Sequence, residues 1–451
     1  MKKNETAITL ISLIITIIII LILSGISLTL LSGNNGILFQ ASIAKKVTNQ
    51  ASALELAQTE ATGSFDSNGK FDSESFIYNI KKNLNVSEEN ITKYNNSDKI
   101  KFKLNNYNIL VNENGKVQIA VQPGEELENT SYNNYIDSNG KTATIPKGFT
   151  VDLSENIIDN GLVIQGPDKS EFVWIPTTIN ELSQCSQADG TCNLELTSNI
   201  LICTKHNNNN IVGKLYDNIS NSYILGYSGN SGRREPAILD RVDTSDAFTI
   251  ENLKSEYLEM AISIAKYKGF YIGRYETSLS DADNSDNGSE GTLGTVQSKA
   301  GYKPLSVGNT VIKNWYGLYK KQNKTYTGKD NSVSSSMVWG SQYDRIYNWV
   351  LQGNDGNKIN ESNNALHNLT SSYITGKATI SGKTDKINNI YDLEGNLTEW
   401  TLEANTQANN SQVRIIRGGY YNTAYKPFII NNIPPNQSYS TIGSRLALYI
   451  K

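Results

Sequence analysis

The sequence predicts an α+β protein of three parts: a long apolar N-terminal helix, a small α+β unit and a large irregular α+β domain. Three observations support this fold class. An uncharged apolar run opens the chain, helical and alternating periodicities follow each other over residues 64–120, and short strands rich in β-branched and aromatic residues follow residue 144. A chain of 451 residues is long enough for two or three domains.

The composition excludes several classes of function. The 41 Lys and Arg residues are balanced by 44 Asp and Glu residues, whereas a nucleic-acid-binding protein carries a basic patch, so no nucleic-acid partner is predicted. The two histidines, His206 and His367, are too far apart in the sequence to form a recognisable metal-binding motif. Three cysteines are too few for a disulfide-rich scaffold.

The first element is predicted to be a membrane-spanning helix. A run of 24 uncharged residues begins at Ile8 and ends at Leu31, and 17 of them are Ile or Leu. Such a helix is long enough to cross a hydrocarbon core of about 30 Å, and the apolar core of a secretory signal peptide is shorter. We therefore predict a single-pass protein of the cell membrane whose polar C-terminal bulk is extracellular.

A second helix is predicted after the flexible residues 33–36. Apolar residues recur there at intervals of three and four, which is typical of an amphipathic helix: Ile37, Ala41, Ala44, Val47, Ala51, Leu54, Ala57 and Ala61. Packing of this face on the chain's own head and packing on a partner helix are both consistent with the pattern. Residues 1–62 form the first predicted domain.

The order of features in the first 60 residues is a short basic leader, a TLI start, a long apolar helix and an amphipathic continuation. This order resembles the pilin-like N-terminus of clostridia-type Gram-positive bacteria. The resemblance implies export, processing by a prepilin peptidase, and pilus or pseudopilus subunits as partners. Two residues depart from it: Ala7 replaces the glycine before the mature N-terminus, and Ser12 replaces the glutamate that pairs with a neighbour's amine. A filament-tip subunit or a simple anchored protein therefore fits better than a repeating pilin subunit.

Residues 63–120 are predicted to form a small α+β unit. The spacing over residues 73–84 predicts a helix, and apolar residues alternate with polar ones over residues 100–104 and 107–111, as in strands. Asn114-Gly115 is a hairpin-turn dipeptide ahead of a further strand. Residues 121–145 lack periodicity and are predicted to be a linker.

The largest predicted domain covers residues 146–451. Strands are predicted at residues 162–164, 171–175 and 269–275, and helices over residues 251–266 and 341–351. Long loops rich in Asn, Ser and Gly separate these elements, and loops of such length are frequently functional.

This domain contains ordered sequence motifs. In chain order they are EFVWIP from residue 171, GFYIGRYET from residue 269, NIYDLEGNLTEWT from residue 389 and VRIIRGGY from residue 413, followed by GSRLAL from residue 443. Together the motifs resemble the formylglycine-generating-enzyme (sulfatase-modifying factor) family. The resemblance covers residues 160–451 and implies a C-type-lectin-like fold.

Seven motif residues are predicted to have structural roles: Asn396, Glu399, Trp400, Arg417, Gly418, Gly419 and Arg445. The tryptophan ring fills the core while its N–H finds a hydrogen-bond partner. The glutamate accepts backbone hydrogen bonds, and the glycine pair allows a backbone conformation that other residues resist. Each arginine pairs with one of three acidic residues: Asp392, Glu394 or Glu399.

The residues needed for oxidative chemistry are missing from the sequence. The resemblance implies a copper-binding cysteine pair near the C-terminus, because thiolates select Cu(I). No cysteine follows Cys203, and the two distant histidines cannot build the cluster of the related iron-dependent sulfoxide synthases. We therefore predict no catalytic residues, no bound transition metal and no enzyme activity. A sulfatase-modifying-type oxidase is the alternative that this absence argues against.

Two other segments have alternative interpretations. Cys185 and Cys192 either form a local disulfide in an oxidising exterior, or remain loop thiols like Cys203. Residues 281–288, DADNSDNG, either bind Ca²⁺ through oxygen ligands or form a solvated acidic loop, because they lack the spacing of an EF-hand.

A segment rich in Tyr and Asn lies between Arg417 and Arg445. Tyrosine provides contact area at low entropy cost, and Asn and Ser provide adaptable hydrogen bonds, as in antibody binding sites. The predicted ligand-binding residues are Tyr420, Tyr421, Asn422, Tyr425, Phe428, Asn431, Asn432, Asn436 and Tyr439. The resemblance implies that this segment faces the ligand. The alternative is an Asn-rich loop produced by biased composition.

The sequence thus predicts an outward-facing surface protein whose catalytically inactive domain binds an extracellular protein or glycan. One alternative is a minor or tip subunit of a type IV pilus or secretion filament. Another is a target protein of a diversity-generating retroelement, because some relatives in the resembling family are such targets.

Overall fold

The computed structural model describes residues 37–94, 99–123, 132–184, 192–197, 200–205, 211–214, 233–234, 250–308, 312–352, 378–382, 386–393, 395–405, 413–421 and 430–451. The predicted membrane-spanning segment lies outside these residues. Among the described residues, no helix combines the length and the apolar character needed to cross a bilayer. The chain divides into two compact units, Met1–Ala120 and Val121–Lys451.

The described part of the first unit contains two α-helices and a run of antiparallel strands. Its elements are α1 Ile37–Thr62, α2 Ser73–Leu84, β1 Ile91–Lys93, β2 Ile100–Leu104, β3 Tyr107–Val111 and β4 Val117–Val121, which ends at the boundary. Strands β1 to β4 pair in sequence order. These elements confirm the helix predicted from Ile37, the helix over residues 73–84 and the hairpin at Asn114-Gly115. The apolar face predicted for the first of these helices is only partly correct, because Ala57 and Ala61 are buried but Ala51 is exposed.

Local chemistry explains the elements of the first unit. The Asp72 carboxylate accepts the backbone N–H of Glu74 at 3.0 Å, which caps the first turn of α2. Gly115 ends the β3–β4 turn with a φ of 73°, a conformation that favours glycine. Helix α1 buries Ala53 and Ala57. These small side chains recur every four residues and form one face of the helix.

The second unit is a larger assembly of antiparallel strands with four helices among the described residues. Its elements are β5 Tyr132–Ile136, β6 Thr142–Pro146, β7 Thr150–Val151, β8 Val163–Gln165, β9 Glu171–Pro176, α3 Ile179–Gln184, β10 Cys192–Thr197, β11 Ile200–Lys205, β12 Ile211–Lys214, β13 Arg233–Arg234, α4 Ile250–Tyr267, β14 Gly269–Gly273, β15 Ser278–Leu279, β16 Val296–Gln297, α5 Trp315–Gln322, β17 Val333–Met337, α6 Gly340–Gln352, β18 Lys386–Ile387, β19 Ile390–Tyr391, β20 Thr398–Asn405, β21 Val413–Arg417, β22 Ile430–Ile433, β23 Ile442–Gly443 and β24 Leu446–Ile450.

The predicted strands and helices of this unit are confirmed, with β14 ending at Gly273 rather than at residue 275. The mixture of helices and antiparallel sheets also confirms the α+β class. The more specific C-type-lectin-like topology stays a prediction.

The segment predicted as a linker, residues 121–145, differs from that expectation because strands β5 and β6 pair within it. Tyr135 and Ile145 are buried on these strands, and the Asp137 carboxylate accepts the N–H groups of the turn. The alternation was hidden in the sequence because a polar residue, Asn133, occupies a buried position. A prediction based on the alternation of apolar and polar residues does not detect a strand whose buried positions include polar residues.

Two sheets position the C-terminal motifs. The first has the order β17-β24-β14-β9-β8-β7, so the last strand of the chain lies between β17 and β14. Every residue of β14 and β24 is buried, which explains why both read as continuous apolar runs. The second has the order β13-β20-β21-β22, and β23 pairs in parallel with β20.

A buried carboxylate joins helix α4 to helix α5 and strand β17. Glu256 accepts hydrogen bonds from the Tyr319 hydroxyl at 2.5 Å, from the Asn323 amide at 2.5 Å and from the Ser336 hydroxyl. Burial raises the pKa of Glu256 to about 7, although these donors act in the opposite direction. The native state therefore holds a proton on Glu256 at pH values where the unfolded chain has released it.

This pKa shift gives the free energy of unfolding a pH dependence of known sign. A carboxyl whose pKa is raised on folding stabilises the native state at low pH, and this contribution is lost as the pH rises through 5 to about 7. We predict that Glu256→Gln removes this loss, so that between pH 5 and pH 8 its stability falls by about 2 to 3 kcal/mol less than that of the wild type. Urea unfolding at both pH values measures the difference, and parallel pH profiles would contradict the prediction.

Candidate binding surface

The C-terminal motifs meet at a buried ion pair. Arg445 has no exposed surface, and its Nη2 lies 2.7 Å from Oε1 of Glu399. The same guanidinium donates to the carbonyl oxygen of Gly273 at 3.0 Å and to that of Tyr391 at 2.7 Å. One side chain, immediately before β24, thereby joins the ends of β14, β19 and β20.

The prediction for Arg445 is confirmed, because Glu399 was one of its three candidate partners. The prediction for Glu399 is wrong, because side chains occupy its oxygens instead of backbone N–H groups. Oε2 accepts the hydroxyl of Tyr343 at 2.6 Å, and Oε1 accepts Arg445.

A different carboxylate, Glu276, accepts the backbone hydrogen bond. Its Oε1 accepts the N–H of Leu397 at 2.9 Å, and its Oε2 accepts the amide of Asn396 at 2.5 Å and the hydroxyl of Ser381 at 2.7 Å. Burial, with repulsion from Asp392 and Glu399, raises the pKa of Glu276 well above its usual range. Burial likewise raises the pKa of Asp392 to about 6. This cluster thus combines carboxyls of raised pKa with one arginine.

The second arginine, Arg417, has partners that the sequence analysis missed. Its Nη2 lies 2.7 Å from Oε2 of Glu403, and its Nη1 lies 3.0 Å from Oδ1 of Asp344. Neither partner is among the three candidates of the sequence analysis, and Glu394 lies outside the described residues, so a pairing of Arg417 with Glu394 stays a prediction. Burial raises the pKa of Asp344 to about 7 against the attraction of Arg417. Glu403 lies on strand β20, four residues after Glu399.

Arg417 lies at the base of the predicted binding segment. It is the last residue of β21 and pairs with Ile430, the first residue of β22. Gly418 follows with a φ of 72°, which confirms the conformational freedom predicted there.

The prediction for Trp400 is half correct. Its ring is fully buried, but its N–H has no hydrogen-bond partner among the described residues. Trp315 has the arrangement expected of Trp400, because its indole N–H donates to the carbonyl oxygen of Thr401 at 2.9 Å. The Cζ atom of Arg414 lies 4.1 Å from the centroid of the Trp315 ring. The Arg414 guanidinium in this position is a cation–π contact.

The predicted ligand-binding residues fall into three groups. Asn422, Tyr425 and Phe428 lie outside the described residues. Tyr420 and Tyr421 are half-buried, with ring centroids 5.7 Å apart. The remaining four are exposed: Asn431, Asn432, Asn436 and Tyr439.

The exposed residues belong to one stretch of chain, which we call the 431–440 surface. It is defined by the exposed side chains of Asn431, Asn432, Asn436, Gln437, Ser438, Tyr439 and Ser440. Tyr439 has 44% of its surface exposed although its backbone pairs with Val307. The carbonyl oxygen of Pro435 accepts the backbone N–H of Trp315 at 3.0 Å. Backbone contacts with buried residues thus hold an uncharged, exposed set of side chains.

The acidic loop at residues 281–288 uses its carboxylates within the chain. Asp281 accepts the N–H groups of Thr292 at 2.9 Å and Leu293 at 2.8 Å, and these hydrogen bonds lower its pKa. Asp283 accepts the N–H of Ser289 at 2.6 Å. Among the described residues, no group of three or more His, Cys, Asp and Glu side chains is arranged to hold a metal ion.

The cysteine predictions fall mostly outside the described residues. Cys185 lies outside them, so its disulfide with Cys192 stays a prediction. Cys192 and Cys203 lie on the paired strands β10 and β11, opposite Lys205 and Leu194 respectively.

Comparison with known protein families finds no match, and comparison with curated proteins finds none. Among solved structures, CarF is similar over 41% of this chain and 87% of its own length, with 14% identity and a TM-score of 0.29. Variable protein 1 of Treponema denticola is similar over 40% of this chain and 84% of its own, with 14% identity and a TM-score of 0.23. TM-scores this low support no argument about fold or function.

The buried ion pair predicts that substitutions at Glu399 and at Tyr343 lower the free energy of unfolding by different amounts. Glu399→Gln leaves the Arg445 charge buried without its nearest counter-ion, which we expect to lower the free energy of unfolding by about 3 to 5 kcal/mol. Tyr343→Phe removes one hydrogen bond from the same carboxylate but keeps the ion pair, with an expected loss of about 1 kcal/mol. Urea unfolding of both variants at pH 7.5 measures the losses. Equal losses of unfolding free energy would contradict the prediction that the ion pair stabilises the fold more than the Tyr343 hydrogen bond does.

Proposed function

We propose that this chain is a membrane-anchored, outward-facing cell-surface protein whose second unit recognises an extracellular protein or glycan through the 431–440 surface. The observation that supports the proposal most is the exposure of uncharged Asn, Gln, Ser and Tyr side chains on backbone that is bonded to the buried core. The membrane anchor is supported by the apolar sequence between Ile8 and Leu31.

The composition of this surface suits recognition. The Tyr439 ring offers apolar area and a polar hydroxyl with few rotatable bonds, so little conformational entropy is lost when it is covered. Its hydroxyl donates to the side chain of Gln437, which limits its motion before a ligand arrives. A surface held in place beforehand loses less entropy on binding.

The charged motif residues support a role other than catalysis. Arg445 and Glu399 are fully buried, and each is hydrogen-bonded to groups of the fold. A catalytic group must reach a substrate, directly or through one water molecule. We propose that these residues stabilise an inactive, formylglycine-generating-enzyme-like domain of C-type-lectin fold.

The pilin-like N-terminal sequence supports a second candidate, a minor or tip subunit of a type IV pilus or secretion filament. Helix α1 is a specific observation in its favour, because 26 residues of helix begin at Ile37, soon after the apolar run. Recognition and filament-tip display are compatible, since a tip subunit presents its head to the surroundings. A diversity-generating-retroelement target remains a further proposal of the same binding class.

The binding proposal is tested by removing exposed side chains of the 431–440 surface. The full chain is displayed on a Gram-positive host and probed with arrays of mammalian glycans and extracellular-matrix proteins. We expect the double variant Asn436→Ala, Tyr439→Ala to bind its best probe at least about tenfold more weakly, because exposed tyrosines are frequent binding hot spots.

Matched controls come from exposed residues elsewhere. Tyr78→Ala in the first unit and Leu153→Ala in the second remove side chains that are 61% and 75% exposed. Both variants should bind like the wild type. A double variant that binds like the wild type, or controls that weaken binding equally, would reject the 431–440 surface.

The anchor is tested separately by fractionation of cells. The full chain should sediment with membranes, resist extraction with carbonate, and be digested by protease added to intact cells. A chain lacking residues 8–31 should appear in the soluble fraction, because it has lost the apolar run. Soluble full-length protein would contradict the anchor without bearing on the binding surface.

A further inference from the structure

Residues 378–382 lie against the buried carboxyls of the C-terminal motifs, and we call them the 378–382 strap. Thr379 and Ser381 are buried, whereas the other three residues are half-buried. The N–H and the carbonyl oxygen of Thr379 pair with the side-chain amide of Asn396 at 2.9 and 3.1 Å. The hydroxyl of Ser381 donates to Oε2 of Glu276 at 2.7 Å. Buried side chains therefore hold the inner side of the strap.

Two aspartates accept further N–H groups of the strap. The N–H of Ile380 donates to Oδ1 of Asp286 at 2.9 Å. The N–H of Gly382 donates to Oδ2 of Asp392 at 3.0 Å. Side-chain carboxylates thus take the place that the carbonyl oxygens of a neighbouring strand would take in a sheet. Unlike a backbone carbonyl, a carboxylate can gain a proton.

The cluster beneath the strap has more carboxyls than cations. Glu276, Asp392, Glu399 and Arg445 are each at most 3% exposed. One guanidinium neutralises one carboxylate, so ionisation of a second carboxyl leaves negative charge buried. Burial, with repulsion from Glu399, raises the pKa of Asp392 from 3.8 to about 6, although the N–H of Gly382 and the charge of Arg445 act in the opposite direction.

The other ionisable groups near the cluster belong to residue types that titrate outside this range. Tyr343 of α6 donates its hydroxyl to Glu399. Lys303 donates to the carbonyl oxygen of Ala378 at 2.6 Å and to that of Asp286 at 2.9 Å. Tyrosine and lysine side chains ordinarily titrate near pH 10. Between pH 4 and pH 8, Asp392 is therefore the carboxyl of this cluster that we expect to change its charge.

We propose that the 378–382 strap closes over the carboxyl cluster in acid and opens as the pH rises toward neutrality. Opening admits water to Asp392, which then ionises as an ordinary aspartate does. A carboxyl whose pKa is raised by closure favours the closed state in acid, and this preference is lost as the pH rises from 3.8 through about 6. The difference of about two pH units allows the opening equilibrium to change by up to about a hundredfold.

The strap is also connected to the predicted ligand-binding residues. The carbonyl oxygen of Asn396, whose side chain holds Thr379, accepts the N–H of Tyr421 at 3.0 Å. The inference does not depend on recognition of any ligand, because opening is a property of the chain itself. Its failure would leave the proposed function unchanged.

Hydrogen–deuterium exchange of the full chain in detergent micelles measures the opening. Exchange is expressed as protection relative to an unstructured peptide at the same pH, which removes the intrinsic pH dependence. Protection over residues 378–382 should fall at least about tenfold from pH 4 to pH 8, while strand β14 keeps its protection. Constant protection of the strap, or an equal fall over β14, would overturn the proposal.

Two matched variants identify the titrating group. Asp392→Asn keeps an acceptor for the N–H of Gly382 and suits the φ of 56° at this position, but it cannot ionise. Protection of its strap should change less than about threefold from pH 4 to pH 8. Asp286→Asn alters the other aspartate that holds the strap and should keep the pH profile of the wild type. A wild-type profile for Asp392→Asn, or loss of the pH dependence in Asp286→Asn, would overturn the assignment.

A third variant opens the strap without changing any charge. Gly382 has a φ of 89°, and a Cβ atom there would lie 2.6 Å from Cε1 of Tyr275. Gly382→Ala should therefore lower the protection of residues 378–382 at pH 4 at least about tenfold and leave β14 protected. Protection equal to that of the wild type would contradict a closure held at this residue.

Discussion

Arg445 lies where the ends of β14, β19, β20 and β24 meet, with no exposed surface and with a carboxylate oxygen of Glu399 at 2.7 Å. Removing a guanidinium from water costs several kcal/mol, and the pair repays this only when its other donors are also bonded. Here Gly273 and Tyr391 supply the carbonyl oxygens. The strands cannot shift relative to each other without leaving a charge unsatisfied. The positions of the elements around this pair are therefore tightly specified.

The buried charges and the exposed surface have different chemistry, and this difference underlies the functional proposal. The motif residues Glu276, Glu399, Arg417 and Arg445 are buried, and burial raises the pKa of Glu276 and of the nearby Asp344. The 431–440 surface has amide, hydroxyl and phenol groups and no charge. Its two ends are tied to the interior, through the Arg417–Ile430 pair and through Val307. A rigid base with an uncharged face is suited to recognition by shape and hydrogen bonds.

Periodicity in the sequence was sufficient for the local elements. The helix over residues 73–84 and strands β8, β9 and β14 follow from spacing, because each has one face or both faces in the core. The ion pair of Arg445 was one of three options that the motifs offered. Features that depend on tertiary contacts were missed. Asp344 meets Arg417 from a helix 73 positions earlier in the chain, and no local pattern contains such a contact.

Other differences between expectation and structure have specific causes. The sequence pattern did not predict hairpin β5–β6 because the polar residue Asn133 is buried there. The backbone hydrogen bond predicted for Glu399 is made by Glu276 instead, which accepts the N–H of Leu397. The hydrogen bond between Asn431 and the N–H of Asn432 depends on a side-chain rotamer. A composition rich in Asn indicates that such contacts are common but does not locate them.

The central claim is that the buried motif residues stabilise the domain while the exposed surface binds. The most direct test measures how tightly the Glu399→Gln variant binds the best glycan or matrix probe. The binding is expressed per folded molecule, and urea titration of the same sample gives the folded fraction. We predict that the folded molecules bind with the affinity of the wild type, since Glu399 is buried. Folded molecules with weakened binding would assign the buried cluster a direct role in function and contradict the account.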